Sequence, residues 1–174
     1  ISSFFTKADK NFFKRKHLMK IILINIFLIL LISCKPMSLL PKEVKSQLPK
    51  GANTVLMNFD MSKDSLFLYV SEFLSNENFR MYNLNKEIGF INTDGKKYGS
   101  GMLIRLNIQI SADDNKSKLI CMAEFSLTDT NEEDKDKWWR GNYSYGGHFT
   151  LCFDRMVLLL QKLPYKEVQY ISKV

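Results

Sequence analysis

The segment "GMLIRLNIQISADDNKSKLICMAEFSL", Gly101–Leu127, decides the fold. Met102, Ile104, Leu106, Ile108 and Ile110 alternate with Leu103, Arg105, Asn107, Gln109 and Ser111. Successive side chains of a strand point to opposite faces, so this period of two predicts a strand covered on one side and largely wet on the other. "ADDNKS" then supplies turn residues, and Leu119, Cys121, Ala123, Phe125 and Leu127 repeat the pattern over 118–127. A short turn joins antiparallel strands, because parallel ones need a crossover of a dozen residues or more.

The periods change in an orderly way on both sides of this pair. Upstream, 52–59 is rich in Val, Leu, Met and Phe and reads as a strand. Ser62 is an N-cap type with Asp64 in the first turn, and Leu66, Phe67, Val70, Phe73 and Leu74 place an amphipathic helix over 63–75. "SNEN" ends it, through Asn76 or Asn78 in the left-handed conformation. Strands over 79–84 and 88–93 flank the turn "NKE", and "TDGKKYGSG" reads as a loop. Downstream, a second helix begins near His148 with Phe149, Cys152, Phe153, Met156, Val157 and Leu160 as its apolar stripe, and Pro164 stops it. The tail 166–174 suits a last edge strand. The order β-α-β-β-β-β-α(-β) predicts an α+β fold: one antiparallel sheet of about five to six strands with two helices packed on one face.

The chain has 174 residues, 45% of them apolar and 13% aromatic, a globular composition for one domain and a short extra segment. Its charge of +7 is unevenly placed. Lys7, Lys10, Lys14, Arg15, Lys16 and Lys20 precede Cys34 against Asp9 alone, so 25 basic and 18 acidic residues become 19 and 17 from Cys34 onward. The body therefore has no electrostatic case for nucleic acid.

The basic leader runs into "MKIILINIFLILLISC", Met19–Cys34. The apolar run 21–33, interrupted once by Asn25, is shorter than the roughly 20 residues of a spanning helix and fits the core of a secretory signal peptide. Met19 suits the true start, with 1–18 an upstream extension. Leu31-Ile32-Ser33-Cys34 resembles the lipobox of bacterial lipoproteins. A thiolate is the nucleophile that takes a diacylglyceryl group as a thioether, and small Ser33 admits a peptidase. The resemblance implies cleavage between Ser33 and Cys34 and a multiply acylated Cys34, which anchors stably where one chain holds only marginally. An uncleaved signal anchor and a buried helix are the competing readings; Lys35-Pro36 and the shortness of the run oppose the first, and the lack of a polar helical face opposes the second. Lys35 stands where Gram-negative lipoproteins kept in the inner membrane have aspartate, which points to the periplasmic face of the outer membrane.

Three parts follow: a signal peptide over 1–33, a tether over 34–51, and a globular domain over 52–174. Pro36, Pro41 and Pro49 make the tether an extended spacer of up to roughly 55 Å at about 3.3 Å per residue, with one helical turn allowed from Pro41.

The element order together with a lipobox resembles the repeated helix-grip domain of the C subunit of the outer-membrane β-barrel assembly machinery. "NFRMYNLNKEIGFINTDGK" carries the likeness, with an "xGxIxT" strand in Ile88-Gly89-Phe90-Ile91-Asn92-Thr93. It covers roughly residues 50–163 and implies a helix-grip fold, a role in envelope assembly and no catalytic residues. This chain departs by carrying one such domain.

Chemistry-bearing motifs are sparse. The body holds His148, Cys121 and Cys152 without CxxC or HxxxH spacing, so no structural metal is expected. "DTNEEDKDKWWRG" alternates acidic residues, but Asp134 stands where a calcium loop needs glycine. There is no GxSxG elbow and no phosphate-binding glycine loop, and His148 and Asp154 do not share a helix face, so no catalysis and no cofactor are expected. Cys121 and Cys152 face one core, either as buried thiols or as a disulfide. "KWWRGNYSYGGHF", Lys137–Phe149, crowds aromatics before the second helix. They either cap the open end of the core or form a binding surface of Trp138, Trp139, Arg140 and Tyr143. The whole reads as a non-enzymatic, lipid-anchored envelope protein that binds a partner protein or aids envelope assembly. The alternative is a small-ligand or lipid carrier, which a cavity of at least ~300 Å³ between helix and sheet would favour and a filled interior would oppose.

Overall fold

A computed structural model describes residues 38–99, 101–114, 116–128, 137–143 and 146–172, all within one compact unit, Met37–Val174. The leader, the lipobox with Ser33 and Cys34, and Tyr145 lie outside the described residues.

The fold is α+β. A short helix α1 (Lys42–Lys45) precedes β1 (Thr54–Phe59), α2 (Lys63–Asn76), β2 (Met81–Asn85), β3 (Phe90–Thr93), β4 (Lys96–Tyr98), β5 (Met102–Asp113), β6 (Lys116–Leu127), β7 (Trp139–Arg140), α3 (Gly147–Leu160) and β8 (Glu167–Ile171). The strands form one antiparallel sheet in the order β2-β3-β5-β6-β1-β8, with β4 paired to β5 and β7 paired to β6. The eight strands exceed the five to six read from the sequence. Two of them, β4 and β7, are too short to show a period: β4 hides in the glycine-rich "TDGKKYGSG", and β7 is two residues long.

The alternation in β5 and β6 is realised residue by residue. The register sets Ile104 against Phe125, Leu106 against Ala123, Ile108 against Cys121 and Ile110 against Leu119, and all eight are buried. Leu127, expected inward, is half-buried because it lies at the end of the strand, opposite Met102. β1 extends the buried row through Val55 and Met57. On the other face Arg105 meets Glu124, with Nε 2.8 Å from Oε2.

Helix α2 begins where its capping chemistry demands: the Ser62 hydroxyl accepts a hydrogen bond from the Ser65 N–H, and Asp64 sits in the first turn. It ends at Asn76, and Asn78 takes a positive φ of 61° before the chain enters β2. Buried Leu66, Phe67, Val70 and Leu74 carry it against β5 and β6. Gly89 closes the β2–β3 turn with φ 75°, and its missing side chain matters twice: a Cβ there would lie 1.9 Å from the Ile110 carbonyl oxygen, while its own carbonyl accepts from the Ile110 N–H at 2.8 Å. Helix α3 packs on β6, and its buried residues join those of α2 and the sheet in one apolar cluster. β8 pairs antiparallel with β1 at the sheet edge.

The segment before β1 is folded onto the domain. Pro41 is the N-cap of α1, Leu40 is buried, and Val44 and Leu48 pack against the core. This differs from an extended spacer over 40–48, because Leu40, Val44 and Leu48 and the single helical turn give that stretch a surface to bury.

Candidate functional site

Between β6, β7 and the first turn of α3 lies an open cleft of about 440 Å³. Phe125 and Leu127 of β6, Trp139 of β7 and Gly146–Phe149 line it, so its walls are almost wholly apolar. Phe125 forms the floor. Its ring lies 5.5 Å from that of Trp139, 5.1 Å from Phe149 in an edge-to-face arrangement, and 6.1 Å from His148. Such pairs contribute about 0.5–1.5 kcal/mol each beyond the area they bury, which fixes the side chains around the opening.

Local sequence explains why space remains. α3 starts on two bare residues, its N-cap Gly146 with φ 74° and its first residue Gly147 with φ 53°, and no side chain caps it. With only hydrogen on those Cα atoms, nothing projects across the mouth. Thr150 holds the turn from inside: its hydroxyl accepts from the Gly146 N–H at 3.0 Å and donates to the Tyr143 carbonyl at 3.2 Å. Asn142 ties the same loop to the start of the domain, its amide donating to the Gly51 carbonyl at 3.1 Å.

The four residues singled out from the sequence do not form one surface. β7 pairs Trp139 with Phe125 and Arg140 with Glu124, so consecutive residues fall on opposite faces of the sheet. Trp139 lines the cleft. Trp138 packs on the outer face, under the Arg105 guanidinium at 4.1 Å from ring centroid to carbon, an exposed cation–π contact of about 0.5–1 kcal/mol. Its ring fills the space beside Gly95 and Leu103. Arg140 is exposed next to Glu124. Tyr143 is half-buried with its ring 6.2 Å from Phe153, and its N–H donates to the Ala52 carbonyl, so it belongs to the core margin.

The remaining chemistry-bearing residues are dispersed. His148 is exposed in the first turn of α3, at the cleft. Asp154 is fully buried and accepts the Leu39 N–H at 2.6 Å, so the two have no common site. Burial raises the Asp154 carboxyl above its ordinary range, while the Ser38 hydroxyl, the Leu39 N–H and the Lys45 charge pull it back. Cys121 and Cys152 are buried free thiols. Burial, with the nearby Glu124 charge adding to it, pushes Cys152 up to about 12; burial and the Cys152 thiol raise Cys121 as well, so neither is a nucleophile near neutral pH. Among the described residues no cluster of His, Cys, Asp or Glu could hold a metal, and no helix is long and apolar enough to cross a membrane.

The periodicity places Phe125 and Phe149 on core-facing stripes, and the structure adds that both also line the cleft. The usable signal is the pair Gly146-Gly147 at a helix start without a capping Ser, Thr, Asp or Asn, with six residues between it and the tryptophan pair. What the arrangement offers is contact with an apolar group, framed by aromatic edges. No protein-family model matches the chain, and no curated protein matches it.

Proposed function

We propose that this chain is the precursor of a lipid-anchored protein of the bacterial envelope, held at Cys34 on the periplasmic face of the outer membrane, whose domain is a non-catalytic binding module. The observation that carries the binding role is the apolar cleft at Trp139, which suits an apolar side chain inserted by a partner protein. Its open mouth favours a protruding partner group over a fully enclosed ligand. The domain is helix-grip-like in this reading, with α2 and α3 covering one face of the sheet; the single buried cluster shared by both helices and the sheet supports it. A role in envelope assembly is in keeping with that proposed location and with the resemblance of the element order.

A second reading, a carrier of a small apolar ligand, is favoured by the volume of about 440 Å³, which lies within the range of small-molecule sites. The cleft lies at the margin of the buried cluster and opens to solvent rather than enclosing a ligand, which speaks against it. A photo-cross-linking residue at His148, compared with one at Gln169, tests the first reading in native membranes. A protein adduct specific to position 148 and lost in Trp139→Ala supports it. Saturable binding of the apolar dye N-phenyl-naphthylamine, abolished by Trp139→Ala without any protein adduct, would replace it with the second. Mass analysis of the mature N-terminus tests the anchor: a free Cys34 thiol with residues 19–33 still attached would refute it.

A further inference from the structure

The charge of the mature chain gathers at its front. Lys35, Lys42, Lys45 and Lys50 stand against Glu43 within 34–50, leaving 15 basic and 16 acidic residues from Gly51 onward. The described part of this front forms a collar fixed to the domain. Leu40 is buried in the core. The Leu39 N–H donates to Asp154 Oδ2 from the middle of α3, and Lys45 Nζ donates to the Ser38 carbonyl at 3.1 Å. The residues that remain outward include Lys42, Lys50 and Leu39, the last 40% exposed.

We propose that this collar docks on anionic phospholipid headgroups, with Lys42 and Lys50 at the phosphates and Leu39 in the interface. The inference rests on the reading that Cys34 is lipidated. Ser38 follows Cys34 by four residues, so even a fully stretched chain keeps Ser38, the start of the collar, within about 14 Å of the anchored residue. Lys45, bonded to the Ser38 carbonyl, is thereby held near that surface, whose charge is screened over roughly 8–10 Å near physiological salt. The remainder of the domain carries a net charge of −1, so the basic excess of the mature chain lies in this front segment. Acyl chains alone attach the protein without orienting it. A cationic collar held by a buried carboxylate gives it a membrane-facing side.

The test uses the mature full-length protein with an environment-sensitive fluorophore at Ser46→Cys, an exposed collar position, while Cys121 and Cys152 remain buried. Vesicles of phosphatidylethanolamine with a minority of phosphatidylglycerol are compared with phosphatidylcholine. The expected result is a blue shift on the anionic vesicles only, reversed at about 0.5 M salt by screening. Lys42→Gln and Lys50→Gln should each lower the docked-to-undocked ratio about fivefold while the protein still floats with the vesicles. An equal shift on phosphatidylcholine, an unchanged ratio in the double variant, or a shift that needs native membrane proteins would overturn headgroup docking. Flotation at high salt reports the anchor separately: its loss in the wild-type protein refutes lipidation, yet a salt-sensitive shift on anionic vesicles would still support the collar, and its absence would remove both.

Discussion

Trp138 and Trp139 are adjacent in the chain and opposite in fate. Trp138 packs on the outer face of the sheet, its ring tip beside Gly95 and its face under the Arg105 guanidinium. Trp139 turns to the inner face, joins Phe125, and leaves one side bare in a cleft. The difference teaches that an aromatic pair in a loop-like sequence need not be one feature. Pairing with Phe125 fixes Trp139 on the inner face, and Trp138, one residue before β7, points the other way, since successive side chains of an extended chain alternate.

The strongest way to break the comparison is Phe125→Ala. The ring is 2% exposed and supports Trp139, Phe149 and His148. Its loss should cost about 3–5 kcal/mol in a denaturant titration, as for other buried Phe-to-Ala changes, and should disorder the cleft while Trp138 keeps its contacts. A cost under about 1 kcal/mol would mean that the floor is not core.

Gly141→Ala acts next. A Cβ there would fall 2.9 Å from Cys152 Sγ and 3.0 Å from the Phe153 backbone nitrogen, and the backbone cannot retreat as a flexible side chain can. Overpacking of this kind costs about 1–3 kcal/mol, and because Gly141 directly follows β7, the loop leading to the cleft should shift with it. Calorimetric melting together with dye binding at the cleft would show both.

Gly95→Ala sharpens the comparison from the other face. The added methyl meets Trp138 Cη2 at 2.8 Å and Leu103 Cβ at 3.1 Å. The tip of an indole ring can tilt away, so the cost should be about 1 kcal/mol, at the low end for overpacking. The near-ultraviolet signal of one tryptophan should change while cleft binding stays as in the wild type. Altered cleft binding would mean that the two faces are coupled.

The smallest effect concerns the collar. Burial raises the carboxyl of Asp154 in the folded protein above its value in the unfolded chain. Between the two values the folded state holds the extra proton, so stability is greater on the acidic side and falls as pH rises through the folded value. Asp154→Asn cannot ionise and should flatten this dependence, its difference from wild type growing from acid towards neutral pH. Denaturant titrations from the ordinary carboxylate range upward would reveal it, and parallel curves for the two proteins would contradict it.

The sequence by itself determined the elements that bury one face. The alternation of 102–111 and 118–127, the 3.6-residue period of α2, the Ser62 cap and the stop before Pro164 are local consequences of covering apolar groups while satisfying backbone hydrogen bonds. Only the tertiary structure decided the rest. β4 and β7 exist because β5 and β6 offer them partners, which no period within three or two residues can encode. The split of Trp138 from Trp139, the cleft left open beside Gly146 and the clasp of Leu39 by Asp154 each join residues far apart in the chain. Periodicity records which face a residue turns toward the core; it carries no record of which distant group will meet it there.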